Sequence, residues 1–451
     1  MNPMKLIVPF ARGAAACLLA AALLLTVTRV NAATVYFDVN GTDPGSGVTD
    51  GGSYSWESSV WSPSSAGTSA TSTWVDGDFP RFSAGTDAAG KTYTITASAN
   101  HTVAGMFANS NGAGNVHLAT SGAALSISPG TQGFFSGTNS NLYIDTALAG
   151  VDPTSRLQWS GGGGSLYLYG ANTFQGGVQL NSVNGLNFNN DHSFGAGPLS
   201  WRGLNGTTAG TSVLATPDAT MPITIANAVQ TTATTQIFVG LPAAPVTFSG
   251  PWTLPAAGTT TFQNQPAGTT VTISGAIGGA ANFAKTGAGT LVLSGPNTYS
   301  GTTTVTAGIV KLGAAGTVAT SSGVILNGGT LEPDGFNQVM SATTLGLLAD
   351  STMDFVAGAS EVDFANSSAA AWTAGKVLNL ANWNFSTTKL RFGTDANGLT
   401  AAQLAQIQFN GSGLGTAMLD ANGYVTVPEP ASVLLVSIGV LAAWPCRRRP
   451  I

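Results

Sequence analysis

Side chains that could perform chemistry are few in this sequence and stand far apart. Its three histidines, His101, His117 and His192, lack the spacing of a metal site such as His-x-x-x-His. Glu361 and Asp363 would face the same way on a strand, about 7 Å apart, within the range of paired glycosidase carboxylates. Alternation on a solvated strand face explains this pair equally well. We therefore predict no catalytic residue, and we expect the histidines to be polar turn or coil residues.

Two acidic stretches have oxygen ligands at the close spacing of calcium loops, namely Asp38-Val39-Asn40-Gly41-Thr42-Asp43 and Asp76-Gly77-Asp78. No bidentate Glu follows at the EF-hand distance, so turns are predicted and calcium is the alternative. Trp56, Trp61 and Trp74 have flat faces on which sugars stack, although tryptophans in a capping region usually belong to the core. The sequence thus predicts no metal site and no cofactor, and leaves sugar stacking open.

The composition excludes several classes of function. The only cysteines, Cys17 and Cys446, lie in segments that are predicted below to be signals, so the mature chain has no thiolate ligand or nucleophile. Nine Lys and Arg against 19 Asp and Glu remain there, and this net charge of −10 repels the phosphates of nucleic acids. Charged residues make up only 8% of the sequence, whereas 59 glycines and 43% hydrophobic residues favour an all-β chain over a disordered one.

A repeated pattern predicts how the strands are arranged. The strong copy, residues 285–313, reads as three short strands separated by glycine turns, and the weak copy, residues 164–188, shares the core Gly-x-Asn-Thr-(Phe/Tyr)-x-Gly. Alternate strand residues point to one face, which is buried only if coils stack. Glycine permits tight or left-handed corners, Asn bonds between coils, and the aromatic fills the corner. The motif residues expected to be structural are Gly289, Leu291, Leu293, Gly295, Asn297, Thr298, Tyr299 and Gly301.

This pattern resembles the autotransporter-associated β-strand repeat of exported bacterial passenger domains. The resemblance implies a right-handed parallel β-helix, and a β-sandwich with similar hairpins is the alternative. We assign residues 121–339 to this β-solenoid, 33–120 to an N-terminal capping β region and 340–427 to a C-terminal capping region that shields the edge of the last coil. Within the latter, the capping-box pattern Thr400-Ala401-Ala402-Gln403 predicts a helix through about Gln408.

Both ends of the sequence have the pattern of targeting signals. Residues 1–32 combine a basic leader, an apolar core and the small-residue ending Val30-Asn31-Ala32, as in a secretory signal peptide. Lipid attachment at Cys17 is disfavoured because the apolar run continues past it. Residues 428–451 join a Pro-Glu-Pro triplet, an apolar run over 431–444 and a basic tail. The residues of the triplet and the tail are Pro428, Glu429, Pro430, Arg447, Arg448 and Arg449.

The C-terminal segment resembles the PEP-CTERM sorting signal of Gram-negative bacteria, which an exosortase reads. Its apolar run is shorter than the roughly 20 residues of a full membrane span. The resemblance implies a short transmembrane helix, transient insertion through 431–444 and two processing partners, signal peptidase and exosortase. An ordinary C-terminal membrane anchor is the alternative. The protein is therefore expected to be exported, to be anchored transiently in the inner membrane, and to reside in the cell envelope, at the outer surface or outside the cell.

Together these observations predict a non-enzymatic β-solenoid that acts as a structural or adhesive protein of the cell surface or matrix, associated with extracellular polysaccharide. Two alternatives stay open. A carbohydrate-binding module would need Trp56, Trp61 and Trp74 to be exposed. A polysaccharide-active β-helix enzyme, such as a lyase, would need Asp, Arg or Lys clustered on one coil face, and the nine cations of the mature chain leave little for such a cluster.

Overall fold

The computed structural model describes residues 32–427 apart from 109–111, 138, 151, 160–162, 182–184, 202–210, 216–220, 233–234, 241–243, 266, 319–321, 357, 359 and 414. The predicted signal-peptide residues 1–31 and the predicted sorting segment 428–451, with its membrane run 431–444, lie outside the described residues. Among those that are described, no helix combines the length and the apolarity needed to cross a membrane. The described residues from Thr34 onward belong to one compact unit.

The described strands form three faces of a β-solenoid of right-handed type, in which most strands pair in parallel with their counterparts in the next coil. The first face is an 11-stranded sheet of the described chain, with the strands Thr34–Phe37, Trp61–Ser62, Phe79–Phe82, Met106–Ala108, Thr131–Ser136, Arg156–Trp159, Val178–Leu180, Leu199–Trp201, Val229–Thr231, Trp252–Thr253 and Ile277–Gly278. A separate three-stranded sheet follows in later coils, with the strands Gln338–Met340, Glu361–Phe364 and Lys389–Phe392.

The second face is the longest sheet of the described chain. Its 13 strands are Ser53–Ser55, Thr92–Ala97, Asn115–Thr120, Asn141–Ile144, Leu166–Leu168, Leu186–Phe188, Thr211–Ala215, Thr235–Gly240, Thr259–Gln265, Asn282–Thr286, Thr303–Val305, Gly323–Asn327 and Thr344–Ala349. The third face is divided into a sheet of three and a sheet of nine described strands. The three are His101–Val103, Leu125–Ile127 and Leu148–Ala149. The nine are Ile223–Ile225, Val246–Phe248, Thr270–Ile273, Thr290–Leu293, Ile309–Leu312, Thr330–Glu332, Ser351–Asp354, Leu378–Ala381 and Ile407–Phe409.

Strand alternation accounts for the core. In Thr290–Leu293 the two leucines are buried while Thr290 and Val292 are half-exposed, and Ile309–Leu312 repeats this order one coil later. Stacked inward residues of all three faces join in a hydrophobic core. The predicted all-β solenoid is therefore confirmed. The β-sandwich is wrong, because the faces are built from parallel coil-to-coil pairs such as Leu291 with Val310 rather than from antiparallel hairpins.

The parallel sheets run across both boundaries predicted at residues 120 and 339. Asn115–Thr120 pairs in register with Asn141–Ile144, and Gly323–Asn327 pairs with Thr344–Ala349. Coil strands thus lie inside each region that the sequence assigned to a cap. Near the start of the described chain, Thr34–Phe37 pairs antiparallel with Trp61–Ser62 and parallel with Phe79–Phe82, the next strand of the first face.

The C-terminal end combines a short helix with a hairpin. Thr400 and Gln403 form the predicted capping box at the start of the helix Ala401–Leu404. Its predicted extension to Gln408 is wrong, because Ile407–Phe409 pairs in parallel with the preceding strand of the third face. Beyond it, Met418–Leu419 and Val425–Thr426 form an antiparallel hairpin. The backbone carbonyl of Gly423 in this hairpin accepts a bond from the Phe392 N–H at 2.9 Å, so the hairpin covers the edge of the last first-face strand.

Candidate functional site

The strong repeat forms a corner that stacks on the coil before it. Asn297 is only 5% exposed, and its Oδ1 accepts a hydrogen bond from the backbone N–H of Ile277 at 2.8 Å. In return, the N–H of Thr298 donates to the carbonyl of Ile277 at 2.8 Å. The Tyr299 ring is buried beside them, and burial raises the pKa of its hydroxyl to about 12. The corner therefore satisfies both backbone groups of Ile277.

The weak copy makes the same contacts. The Oδ1 of Asn172 accepts a bond from the N–H of Leu148 at 2.7 Å, and the N–H of Thr173 donates to the Leu148 carbonyl at 2.8 Å. Phe174 is buried in the place that Tyr299 has in the strong copy. The residues that the two copies share thus form the same hydrogen bonds to the coil beneath.

The two corners lie on different faces of the solenoid. The strong copy stacks on Ile277–Gly278, the last strand of the 11-stranded sheet of the first face. The weak copy stacks on Leu148–Ala149, the last strand of the three-stranded sheet of the third face. In each case the corner replaces the next strand of that face, and pairing resumes in later coils, at Gln338–Met340 and at Ile223–Ile225 respectively. The motif therefore ends one sheet of the solenoid, while the other faces continue in the following coils.

Close approach of backbones explains the glycines of the motif. A Cβ at Gly301 would lie 2.2 Å from the carbonyl oxygen of Ala281, and one at Gly176 would lie 2.3 Å from that of Ser155. Neither glycine has a positive φ, so the expected left-handed corner is not the reason for glycine at these two positions. Stacked coils leave no room there for a side chain.

Two further motif glycines are constrained in the same way. A Cβ at Gly295 would be 2.3 Å from the carbonyl oxygen of Gly275, and one at Gly289 would be 2.3 Å from the amide nitrogen of Asn264. Gly275 itself would place a Cβ 1.9 Å from the oxygen of Gly250, so glycines of successive coils stack in a column. The repeat therefore specifies how closely coils approach.

Lys285 of the strong copy points into the solenoid rather than to solvent. Its ammonium donates to three backbone carbonyls, those of Thr286, Gly287 and Ala307, at 2.7, 2.7 and 3.2 Å. Burial lowers the pKa of Lys285 to about 8. With its hydrogen bonds made to backbone, this lysine joins its own turn to the next coil and presents no charge to a substrate.

The residues considered for acid–base chemistry are engaged in structural contacts. The Asp363 carboxylate pairs with the guanidinium of Arg391, whose Nε lies 3.0 Å from Oδ1. The Tyr424 hydroxyl donates to Oε1 of Glu361 at 2.7 Å, and that bond raises the pKa of Tyr424. The Arg391 guanidinium lies over the Tyr424 ring at 5.4 Å. The network fastens the C-terminal hairpin to the strand below it.

Two of the three histidines contact carboxylates. His101 lies between Asp76 and Glu57, with its two ring nitrogens 3.1 and 3.3 Å from their oxygens. His117 lies 2.7 Å from an oxygen of Asp145. His192 donates its backbone N–H to Asn190 in a turn, as expected of a polar turn residue. In the described part of the chain, no three His, Cys, Asp or Glu side chains are placed to hold a metal ion.

An aromatic ladder runs along the outside of the second face. The rings of His117 and Tyr143 stack at 4.1 Å, and those of Tyr143 and Tyr167 stack at 4.0 Å, in three successive coils. Each ring covers the face of its neighbour, because parallel in-register strands bring equivalent side chains together. The covered ring faces stabilise the coil stack and are not open to sugar.

The N-terminal tryptophans form a core. Trp56, Trp61 and Trp74 are 0%, 1% and 9% exposed, and their ring centroids lie 4.8 to 5.0 Å apart. The exposure that a carbohydrate-binding module would need at these residues is absent. Sugar stacking at this cluster is therefore ruled out by burial.

A concave site lies at the other end, in a cavity of about 640 Å³. Its aromatic residues are Phe385, which is 62% exposed, the half-buried Tyr424 and the buried Trp383, whose indole Nε1–H has no hydrogen-bond partner. Lys389 and Asn422 are exposed beside them. The whole lining is Trp383, Phe385, Thr388, Lys389, Asp420, Asn422, Tyr424, Val425, Thr426 and Val427. Aromatic faces with a few convergent polar groups are typical of small-ligand and sugar sites.

Sequence patterns did not predict this cavity. Its lining lies within the predicted C-terminal capping region 340–427, but nothing in the spacing brings the segments around Phe385 and Tyr424 together. They meet because the hairpin folds back over Lys389–Phe392. The run Trp383-Asn384-Phe385, with aromatic residues on both sides of a polar one in a turn, was the available signal.

Comparison with protein families gives one match. Residues 161–182 and 283–312 match the family model of the passenger-associated-transport-repeat. The two matched stretches are the two corners described above with their flanking strands. Comparisons with curated proteins and with solved structures find no match. The passenger-associated-transport-repeats and the β-solenoid fit an exported, passenger-like β-helix protein of the cell surface.

The predicted processing residues lie outside the described residues. Pro428, Glu429 and Pro430 follow directly on Val427, which lines the cavity, and they lie outside the described residues with Arg447, Arg448 and Arg449. Their role stays a prediction of the sequence.

Proposed function

We propose that this protein is an exported, non-enzymatic β-solenoid of the cell surface or extracellular matrix that associates with extracellular polysaccharide through its C-terminal cavity. One observation carries the proposal: two passenger-associated-transport-repeats lie within a parallel β-solenoid, where each forms a stacking corner. A solenoid of this kind presents long, regular faces and serves as a spacer or scaffold. Its described carboxylate pair, Glu361 and Asp363, is held by Tyr424 and Arg391, which supports a structural role for both residues.

The cavity supports the saccharide part of the proposal. Phe385 offers an open ring face to the apolar side of a sugar ring, while Asn422 and Lys389 offer donors to hydroxyl groups. The Trp383 indole belongs to the same lining, and its N–H is buried without a partner.

Export and sorting form the second part of the proposal. The sequence patterns of residues 1–32 and 428–451 support removal of the leader by signal peptidase and recognition of the tail by an exosortase. Intact-mass measurement of envelope material should find chains that begin near Ala33 and end near Pro428, Glu429 or Pro430. If most chains retain Arg447, Arg448 and Arg449, the tail is not removed by sorting and is an ordinary membrane anchor.

Polysaccharide binding is tested with the exported protein on a glycan panel and on exopolysaccharide from the producing cells. Phe385→Ala should weaken binding roughly tenfold, about 1.4 kcal/mol. Phe336→Ala is the control, because Phe336 is also exposed but lies away from the cavity. Equal binding by wild type and Phe385→Ala would refute the cavity as the contact site. Breakdown of the polysaccharide that is lost in Glu361→Gln would favour the enzyme alternative.

A further inference from the structure

One carboxylate oxygen near the start of the solenoid is buried with no partner. Asp38 is 0% exposed, and its Oδ1 accepts bonds from the N–H groups of Asn40 and Gly41 at 3.1 and 3.2 Å. Its Oδ2 has no hydrogen bond. A buried carboxylate with a bare oxygen is costly unless a proton, a donor or a cation meets it. The backbone donors hold Asp38 in place and leave Oδ2 available.

A backbone carbonyl oxygen lies near this atom, and a second side-chain oxygen of the same loop lacks a partner. The side-chain Oδ1 of Asn40 is also buried without a partner. The point where Gly67 would carry a Cβ lies 2.1 Å from the carbonyl oxygen of Gly45 and 3.1 Å from Asp38 Oδ2. These two oxygens are therefore no more than about 5 Å apart, a gap that a cation at 2.3–2.6 Å from each oxygen bridges. Because position 67 is glycine, no side chain occupies this gap.

A second carboxylate lies beside Gly45. A Cβ on Gly45 would lie 2.9 Å from Oδ1 of Asp87, and the Asp87 oxygens accept bonds from the N–H groups of Ser46 and Gly47 at 2.7 and 2.9 Å. Burial raises the pKa of Asp38, and the negative charge of Asp87 raises it further. The neighbouring cation Lys91 directs its ammonium to the Val48 carbonyl at 2.7 Å.

The other acidic stretch shows what a satisfied carboxylate looks like in the same region. Oδ1 of Asp76 lies within hydrogen-bond distance of three donors, the Trp74 indole, the Thr102 N–H and the His101 ring, at 3.0, 3.0 and 3.1 Å. These bonds hold the turn at Asp76, and they account for this carboxylate oxygen without a cation. Of the two stretches with calcium-like spacing, only the one at Asp38 retains buried oxygens that lack donors.

We propose that a calcium-class divalent cation binds between Asp38 Oδ2, Asn40 Oδ1 and the Gly45 carbonyl, with Asp87 supplying the second negative charge. Calcium fits because it takes six to eight oxygens, including backbone carbonyls, in irregular geometry, and water completes its shell. The bound ion joins the loop 38–47 to the segments around Gly67 and Asp87. It thereby stabilises the start of the coil stack.

Calorimetric titration and thermal melts of the exported, chelator-treated protein test this site. Calcium chloride should give a saturable binding heat and raise the Tm by several degrees. Asp38→Asn should lower the calcium affinity at least roughly tenfold and abolish the rise in Tm. Asp43→Asn is the matched control, because it removes the same charge from an exposed position of the same loop and should leave both effects intact.

Three outcomes would overturn the proposal. Wild type with the same Tm in calcium and in chelator would mean that Asp38 carries a proton instead of meeting a cation. Equal effects of Asp38→Asn and Asp43→Asn would indicate nonspecific charge screening, as would an equal rise in Tm from sodium chloride at matched ionic strength. If Asp38→Asn does not fold, Asn40→Ala takes its place, and unchanged calcium affinity in that variant would count against the site.

Discussion

The two repeat copies have nearly the same corner and lie on different faces of the solenoid. Residues 170–176 stack on the third face and residues 295–301 on the first, yet Asn172 and Asn297 each accept the N–H of the strand beneath. The motif is therefore independent of the face that it ends. Its conserved geometry within this chain comes from stacking on the previous coil, since each corner bonds both backbone groups of one underlying residue.

The largest expected effect comes from filling the closest contact. Gly301→Val and Gly176→Val should each lower the free energy of unfolding by more than about 4 kcal/mol, because the new Cβ would overlap a backbone oxygen of the coil below. Gly278→Ala is the control, since its Cβ would meet nothing closer than Thr298 Oγ1 at 3.5 Å. Urea unfolding measures all three. If only one of the two valine variants were destabilised, the two corners would not be equivalent.

Core truncation should be the next largest effect. Leu293→Ala and Leu168→Ala remove side chains that are 0% exposed and should each cost about 2–5 kcal/mol, because stacked coils cannot collapse to fill the cavity. Val292→Ala, on the half-exposed side of the strand, should stay within about 1 kcal/mol. Thermal melts of the purified variants test this. Equal effects of the leucine and valine changes would mean that the leucines are not packed between coils as described.

Removing the corner amide should have a smaller effect. Asn297→Ala and Asn172→Ala should each cost about 1–3 kcal/mol, because a buried backbone N–H loses its acceptor. Thr298→Ala changes the exposed residue that follows Asn297 and should be near neutral. Denaturant midpoints test the ranking, and a costly Thr298→Ala with a neutral Asn297→Ala would reverse the assigned roles.

The last effect depends on pH and distinguishes the strong copy from the weak one. Lys285 has a pKa of about 8 when folded, against about 10.4 in the unfolded chain, so between these values the unfolded state binds more protons and stability rises with pH. Lys285→Met should remove this rise. Urea midpoints of both proteins from about pH 7 to about pH 10 test it. Parallel curves for the two proteins would mean that Lys285 is not held in the folded core as described.

Local sequence patterns predicted the stacked β-coils. They did not predict the face on which each copy lies or the extent of the coil stack. The alternation at Leu291 and Leu293 predicts inward side chains whichever face the strand occupies. It is therefore sufficient to predict the fold class. The face on which a copy lies depends on the summed lengths of all preceding turns, which no local pattern encodes. Coil strands before residue 120 lack the glycine and asparagine motif, so the sequence assigned them to a cap although they pair in register.

The candidate sites depend on contacts that are distant in sequence. Phe385 and Tyr424 line one cavity only because the hairpin folds over the last coil. At the other end, the spacing around Asp38 suggested oxygen ligands, but the surroundings of those oxygens depend on Gly67 and Asp87, which come from later turns. Sequence spacing gives the ligand types, whereas burial and hydrogen bonding decide between a turn and a site.

Hydrogen exchange at the two underlying strands tests the central claim most directly. If each corner ends its own sheet by stacking, Asn297→Ala should speed exchange of the amide of Ile277 and leave that of Leu148 protected, and Asn172→Ala should do the reverse. Exchange that stays unchanged at both amides, or that speeds up equally at both in either variant, would contradict the account.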